Sequence, residues 1–166
     1  MIRTKTMIAV AAILAGAAAG GAVAQERPKL DLGQAVASAE KTLGARAFDA
    51  ELDMDRGVLV YEIDLVKDGR AVEAEVDAQS GALVRQHRQG VGLPWKDSDL
   101  KAAQTAPRSL TEAIAMIEAK TKGKVTDVGL EQRGGRHYYE VALAGAQDRD
   151  VLVDIHSGAI TPVLDD

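Results

Sequence analysis

The sequence predicts an α+β protein made of two tandem modules, each with one helix packed on a three-stranded antiparallel sheet. Three observations lead to this fold class. The chain contains an internal repeat, each copy opens with a helix-start signal, and the hydrophobic period then changes from helical to two. One helix can cover one apolar sheet face and leave the other face to solvent.

The repeat is visible as matching motifs in matching order. The first copy reads LGQAVASAE from Leu32, and the second reads LTEAIAMIE from Leu110, 78 positions later. The pair Tyr61-Glu62 recurs as Tyr139-Glu140 at the same offset. The ending Val-Asp-x-x-Ser-Gly follows in both copies, now 77 positions apart, which indicates a deletion in one hairpin loop. Chance similarity between two amphipathic segments would not preserve the spacing and the turn residues together.

A capping box begins each predicted helix. Asp31 precedes Gln34 by three residues, and Ser109 precedes Glu112 by three, which is the spacing of reciprocal side-chain caps. Apolar residues then recur on one helical face. In the first copy this face carries Leu32, Val36, Ala39 and Leu43, and in the second Leu110, Ile114, Ile117 and Thr121.

Alternation then predicts three strands per copy, with turns at Asp55-Arg56-Gly57 and at the hairpin signal Asp68-Gly69 in the first. The inward residues of the first copy are Phe48, Ala50, Leu52, Met54, Leu59, Tyr61, Ile63, Leu65, Val72, Ala74, Val76 and Ala78. Those of the second are Val128, Leu130, Tyr139, Val141, Leu143, Val151, Val153 and Ile155.

The N-terminal segment 1–24 has the pattern of a secretory signal peptide. Arg3 and Lys5 precede an uncharged apolar run, and Ala22-Val23-Ala24 supplies the small-x-small cleavage pattern. The run is too short for a comfortable membrane span, so we expect cleavage and a periplasmic protein, with secretion as the alternative. No membrane span is then expected in the mature chain.

The expected layout of the rest is module 1 over 30–85, a linker over 86–108 and module 2 over 109–164. The linker is biased towards basic residues and holds the only tryptophan, Trp95. We expect Trp95 to anchor the linker to the modules, the alternative being an exposed contact. A short helical turn is expected near Ser98 to Ala103.

Composition excludes several functions. The chain carries 20 basic and 25 acidic residues and no cysteine. Nucleic-acid binding is therefore not expected, because it needs a basic footprint. Disulfides, thiolate nucleophiles and thiolate metal sites are excluded outright.

Each copy resembles the PepSY domain, a module of metallopeptidase propeptides and bacterial envelope proteins. The resemblance lies in the amphipathic helix, the Tyr-Glu pair and the Asp-x-x-Ser-Gly ending. It implies a helix packed on an antiparallel sheet, an extracytoplasmic location and a non-catalytic role. The role usually suggested for the family is peptidase inhibition or regulation of the local environment. The sequence shows no peptidase domain after the modules, so we expect any peptidase to be a partner in trans.

No catalytic or metal-binding constellation is recognisable. Ser38-x-x-Lys41 matches one motif of penicillin-interacting enzymes, but its companion motifs are missing. Asp53-x-Asp55 lacks the remaining ligand positions of a calcium loop, and a hairpin turn is the better interpretation. His87, His137 and His156 show no ligand spacing. We therefore expect no enzyme activity, no cofactor and no metal site.

Charge is the sharpest functional signal. The outward face of the first sheet would carry Asp49, Glu51, Asp53, Glu62, Asp64, Glu73, Glu75 and Asp77. Such a face can be merely solvated, can dock a basic partner or a divalent cation, or can receive the linker through Arg85 and Arg88. The second face is milder and includes Tyr138 and Leu152. The expected binding residues are Glu62, Asp64, Glu73, Glu75, Asp77, Trp95, Tyr138 and Glu140.

Overall fold

The computed structural model describes residues 27–88, 95–144 and 150–163. The elements of module 1 are α1 (Leu32–Leu43), β1 (Arg46–Asp55), β2 (Val58–Lys67), β3 (Arg70–Asp77) and β4 (Leu83–Arg88). A linker helix follows, α2 (Asp97–Thr105). Module 2 contains α3 (Leu110–Thr121), β5 (Lys124–Arg133), β6 (Arg136–Ala144), β7 (Val151–Asp154) and β8 (Ile160–Pro162). The predicted signal peptide lies outside the described residues. None of the helices in the described part of the chain is long and apolar enough to cross a membrane.

Both predicted capping boxes are present. The Asp31 carboxylate accepts a hydrogen bond from the Gln34 backbone N–H, and the Gln34 side chain accepts one from the Asp31 N–H. Ser109 and Glu112 make the same reciprocal pair at α3. These bonds satisfy backbone donors that the first helical turn leaves without partners, so each helix begins at the residue that the sequence indicates.

The strands form one continuous sheet in the order β4-β3-β2-β1-β5-β6-β7-β8. The prediction of three strands per module is therefore wrong, because each module contributes four strands to a shared eight-stranded antiparallel sheet. The additional strands are β4 and β8, which lie at the two outer edges. Residues 86–88, which we assigned to the linker, belong to β4.

The modules join edge to edge through β1 and β5. Ala50 pairs with Val128 and Glu51 with Asp127, in antiparallel register. Helices α1 and α3 contact each other, and a single cluster of buried apolar side chains includes residues of both modules. The two copies thus share one core, which suits modules too small to bury much surface alone.

The first strand contains a bulge that corrects the predicted position of Phe48. Ala47 pairs with Leu65 and Asp49 pairs with Asp64, so Phe48 is the extra residue between two pairs on opposite faces. Its ring is fully buried and meets the ring of Trp95 edge-on, with centroids 4.9 Å apart. Strict alternation placed Phe48 with Ala50; the inserted residue breaks that alternation. Met54, also predicted to face inward, is 48% exposed.

Trp95 anchors the linker, as expected. Its indole N–H donates to Asp64 Oδ2 at 3.0 Å, and its ring packs against Phe48. The helical turn expected nearby is the longer helix α2, which buries Leu100 and Ala103. Asp99 Oδ1 of this helix lies 3.0 Å from His137 Nε2 on β6, so the linker contacts both modules.

Candidate functional site

The candidate site is the sheet face that carries the predicted carboxylates, here called the acidic face and defined by Asp49, Glu51, Asp53, Glu62, Asp64, Glu73 and Glu75. Residues that alternate along a strand share a face, and Tyr61, Ile63 and Leu65 occupy the opposite, buried one. Register then places the acids side by side. Glu51 faces Glu62, and Glu62 faces Glu75, across three adjacent strands.

A second row of acids runs parallel to the first. Asp49 faces Asp64, and Asp64 faces Glu73. Directly opposed carboxylates in neighbouring strands repel each other. The acidic face is therefore a strained electrostatic arrangement unless cations, hydrogen bonds or protons compensate it.

The edge strand β4 compensates part of the charge. Arg85 Nη1 lies 2.9 Å from Glu75 Oε1, and Arg85 Nη2 lies 2.7 Å from Asp55 Oδ2. His87 Nε2 lies 3.1 Å from Glu73 Oε1. The interpretation in which the basic segment returns to this face is thus partly confirmed. Arg88 pairs with Val72 in the β3–β4 register, and no ion pair joins it to an acid of this face within the described ranges. The second basic side chain on the face is His87.

Two more of the predicted binding residues are engaged in holding the fold. Asp64 accepts the Trp95 indole hydrogen bond. Asp77 Oδ1 accepts hydrogen bonds from the backbone N–H groups of Gln79 and Ser80 and from the Ser80 hydroxyl. Asp77 therefore shapes the turn after β3. Among the described residues, Glu51, Asp53 and Glu62 have no ion-pair partner.

Glu62 is the most perturbed group of this face. Burial raises the pKa of Glu62 to about 7, and the negative charges of Glu73, Glu51, Asp64 and Asp53 contribute further. The group is only partly buried, so a cation brought from solvent can reach it. A carboxyl group of this kind is poised between its neutral and charged forms near neutral pH.

Arginines of module 2 neutralise two acids of its corresponding face. Arg133 Nη2 lies 2.8 Å from Glu140 Oε1, and Arg136 Nη2 lies 2.6 Å from Asp154 Oδ2. The Arg136 guanidinium also lies over the ring of Tyr138, 5.8 Å from its centroid. The predicted binding residues Tyr138 and Glu140 are therefore not part of the open acidic face of module 1.

Sequence reasoning placed Glu51 on this face but did not select it as a binding residue, and it missed His87. Glu51 lies between Glu62 and Asp127, at the seam between the modules, which only the strand order reveals. His87 lies on the edge strand that the sequence did not predict.

The weaker motifs have structural explanations. The Ser38 hydroxyl donates to the Gly81 carbonyl oxygen at 2.9 Å, which ties α1 to the turn after β3. Asp53 and Asp55 lie at the β1–β2 hairpin. In the described ranges, no group of three or more His, Asp or Glu side chains is arranged to hold a metal ion.

The fold and the acidic face together define a class of protein. It is a tandem α+β repeat protein in which both copies share one sheet and the negative charge is concentrated on the first copy. The family model described as "Peptidase propeptide and YPEB domain", PepSY, matches residues 29–87 and 109–162, so the chain belongs to the PepSY family. The predicted tandem PepSY organisation is confirmed.

Two further comparisons concern curated proteins and solved structures. No curated protein matches the chain. A crystal structure of a Clostridium difficile 630 protein, provisionally described as a lipoprotein, is similar over 82% of this chain and 93% of its own, with 16% sequence identity and a TM-score of 0.44.

Proposed function

We propose that this protein is a non-catalytic, exported binding protein that modulates a peptidase or another envelope protein in trans, and that the acidic face of module 1 docks a basic segment of that partner. The observation that carries the proposal is a set of acids, Glu51, Asp53 and Glu62, for which the described part of the chain supplies no ion pair. The corresponding face of module 2 supplies its own arginines. Membership of a family named for peptidase propeptides supports the regulatory role.

The spacing of these acids suits an extended basic peptide. Glu51 and Asp53 are two residues apart on one strand, and alternate residues of a strand lie about 7 Å apart. Alternate side chains of an extended peptide have the same spacing. Glu62 lies on the neighbouring strand, about 5 Å away between Cβ atoms. Lysine or arginine side chains can thus meet several carboxylates without requiring them to converge on one point.

A divalent cation is the alternative ligand, and the described residues favour it less. A bound Ca²⁺ needs six to eight oxygen ligands at about 2.3–2.6 Å from one centre. The acids of this face are instead distributed along strands, and no metal-holding group is found among the described side chains. The peptide is therefore the ligand to test first.

The test measures binding of a lysine-rich extended peptide by calorimetry at about 0.01 M and about 0.15 M salt. We expect binding that weakens as salt rises, and we expect the double variant Glu51→Gln/Glu62→Gln to lose it. Glu140→Gln is the matched control, because Arg133 already neutralises that acid. If the peptide binds at neither salt concentration, or if the control variant loses as much affinity as the double variant, the docking proposal is refuted. If Ca²⁺ binds and the peptide does not, the cation is the favoured ligand.

The regulatory part needs a separate assay. Exported peptidases encoded beside the gene are incubated with the protein and with the double variant, and their activity is followed. We expect the wild-type protein to change the activity of one of them and the double variant to have no effect. A protein that binds basic peptide but leaves every such peptidase unchanged would remove the peptidase from the proposal.

A further inference from the structure

Glu75 presents an unsatisfied acceptor within the acidic face. Its Oε1 pairs with Arg85, but its Oε2 is buried and has no hydrogen-bond partner among the described groups. The side chain is only 8% exposed, so bulk water does not readily compensate. A buried acceptor without a donor is unfavourable, more so when it is charged, and such atoms are uncommon in native proteins. A donor is therefore missing beside Glu75.

Glu62 is placed to supply that donor. It lies directly opposite Glu75 in the β2–β3 register, and side chains at opposed positions have Cβ atoms about 4.5–5.5 Å apart. A protonated carboxyl group has one O–H to donate. The pKa of Glu62, raised to about 7 by burial and then by the surrounding acids, keeps that proton in place up to neutral pH.

We infer that Glu62 donates its proton in a hydrogen bond to Glu75 Oε2 when the face is empty, and that a docking basic segment expels this proton. The inference rests on the proposed docking function and adds its regulation: binding is linked to the release of one proton. The docked cation replaces the proton as the group that holds Glu62 and Glu75 together. Binding is accordingly weaker in acidic medium.

The charged and titratable groups around Glu62 agree with this assignment. From β1, β2, β3 and β5 they are Asp49, Glu51, Asp53, Asp64, Glu73, Glu75, Asp77 and Asp127. From β4 they are Arg85 and His87, and both are engaged with other acids. The linker contributes the Trp95 indole, which donates to Asp64. A proton on Glu62 thus lowers a local excess of negative charge.

The residue of module 2 that corresponds to Glu62 has an arginine beside it where Glu62 has acids. Glu140 corresponds to Glu62 in the repeat, and its cross-strand neighbours are Gly129 and Leu152. No acid stands directly beside it on either strand, and Arg133 binds its carboxylate. Glu140 is therefore a matched control for Glu62.

The first experiment follows the side-chain carboxyl carbons of the mature chain by NMR as pH is varied. We expect Glu62 to titrate near neutral pH, about two to three units above an ordinary glutamate. Glu75→Gln should lower the midpoint of Glu62 by about one unit or more, because it removes the charged acceptor. Glu73→Gln removes the charge that acts most strongly on Glu62 but leaves this acceptor in place, so a larger effect of Glu75→Gln is the result that identifies the hydrogen bond. An ordinary midpoint for wild-type Glu62, or equal effects of the two variants, would overturn the shared hydrogen bond.

The second experiment measures affinity for the lysine-rich peptide at about pH 6 and about pH 8. Release of one proton from a group that titrates near pH 7 predicts about tenfold weaker binding at the lower pH. Glu62→Gln should remove this dependence, whereas His87→Gln should keep it. If the affinity is the same at both pH values, the proton linkage is overturned, but the docking proposal stands. Absence of binding, with Glu62 still titrating near neutral pH, would instead overturn docking and leave the proton on Glu62.

Discussion

Replacing Asp154 by alanine should destabilise the protein strongly. Asp154 is 3% exposed, and its Oδ1 accepts hydrogen bonds from the backbone N–H groups of His156 and Ser157 and from the Ser157 hydroxyl, at 2.7–3.1 Å. Its Oδ2 binds Arg136 at 2.6 Å. Alanine leaves these donors without their charged acceptor. Water can replace part of the loss because Ser157 is exposed, so we expect a decrease of about 2–3 kcal/mol in the free energy of unfolding.

The assay is urea unfolding of the mature chain, with Asp77→Ala as the matched control. Asp77 makes the same turn in module 1, but it is less buried and has no arginine pair in the described ranges, so its loss should be smaller. If the two variants unfold at the same urea concentration, or if Asp154→Ala unfolds like the wild type, the reasoning is refuted.

The same substitution has a predictable pH dependence. The backbone N–H of Ser157, first among several hydrogen bonds and followed by Arg136, holds the pKa of Asp154 below its ordinary value. A carboxylate with a lowered pKa in the folded state contributes stability that is fully present above its unfolded pKa. That stability is lost as pH falls through the folded pKa. The difference between wild type and Asp154→Ala should therefore be constant from neutral pH to about pH 5 and shrink below about pH 4.

Two further predictions concern the contacts that fix the linker and the seam. Phe48→Ala empties a fully buried site against Trp95. The free energy of unfolding should therefore fall by about 3–5 kcal/mol, and the tryptophan emission should shift to the red. The control Val84→Ala, at a residue 56% exposed, should leave both quantities nearly unchanged. Gly129→Ala would place a methyl group 2.9 Å from Asp49 Oδ2, and we expect a loss of about 1–3 kcal/mol by thermal unfolding. Unaltered stability in either variant would contradict the packing described.

Local signals in the sequence were sufficient for the helices and for most of the hairpins. The capping boxes at Asp31 and Ser109 placed the helix starts, and the alternation of apolar residues placed β1 to β3 and β5 to β7. The edge strands were missed for physical reasons. β4 is mostly exposed and polar, and β8 has three residues ending in Pro162, so neither shows an alternating apolar pattern. Edge strands of this kind resist pairing with other chains and leave little trace in hydrophobicity.

The residues of the candidate site could be predicted from the sequence, but the ion pairs and hydrogen bonds that compensate their charges could not. Alternation placed Glu62, Asp64, Glu73 and Glu75 on one face, and the register confirms that they are neighbours. Which of them keeps a partner depends on tertiary contacts. Arg85 of β4 reaches Glu75 after the chain turns back behind Asp77. Trp95 donates to Asp64 while its ring packs on Phe48, the extra residue of the bulge. Neither event has a local signature.

The seam between β1 and β5 has a consequence for how the two copies diverged. Ala50 and Val128 are equivalent residues of the repeat, 78 positions apart, and they face each other in antiparallel register. A strand that pairs with its own copy at the equivalent residue has a local twofold axis through that pair, as in an isologous dimer. Here one chain supplies both subunits.

In a true homodimer every substitution would appear on both sides of that axis. Fusion removes this constraint: Glu51 of one half corresponds to Gly129 of the other, where the Asp49 carboxylate covers the position that a second glutamate would fill. The acidic face and its self-neutralised counterpart can therefore coexist in one sheet. Duplication within the chain is what allows one half to remain a stable scaffold while the other specialises in charge.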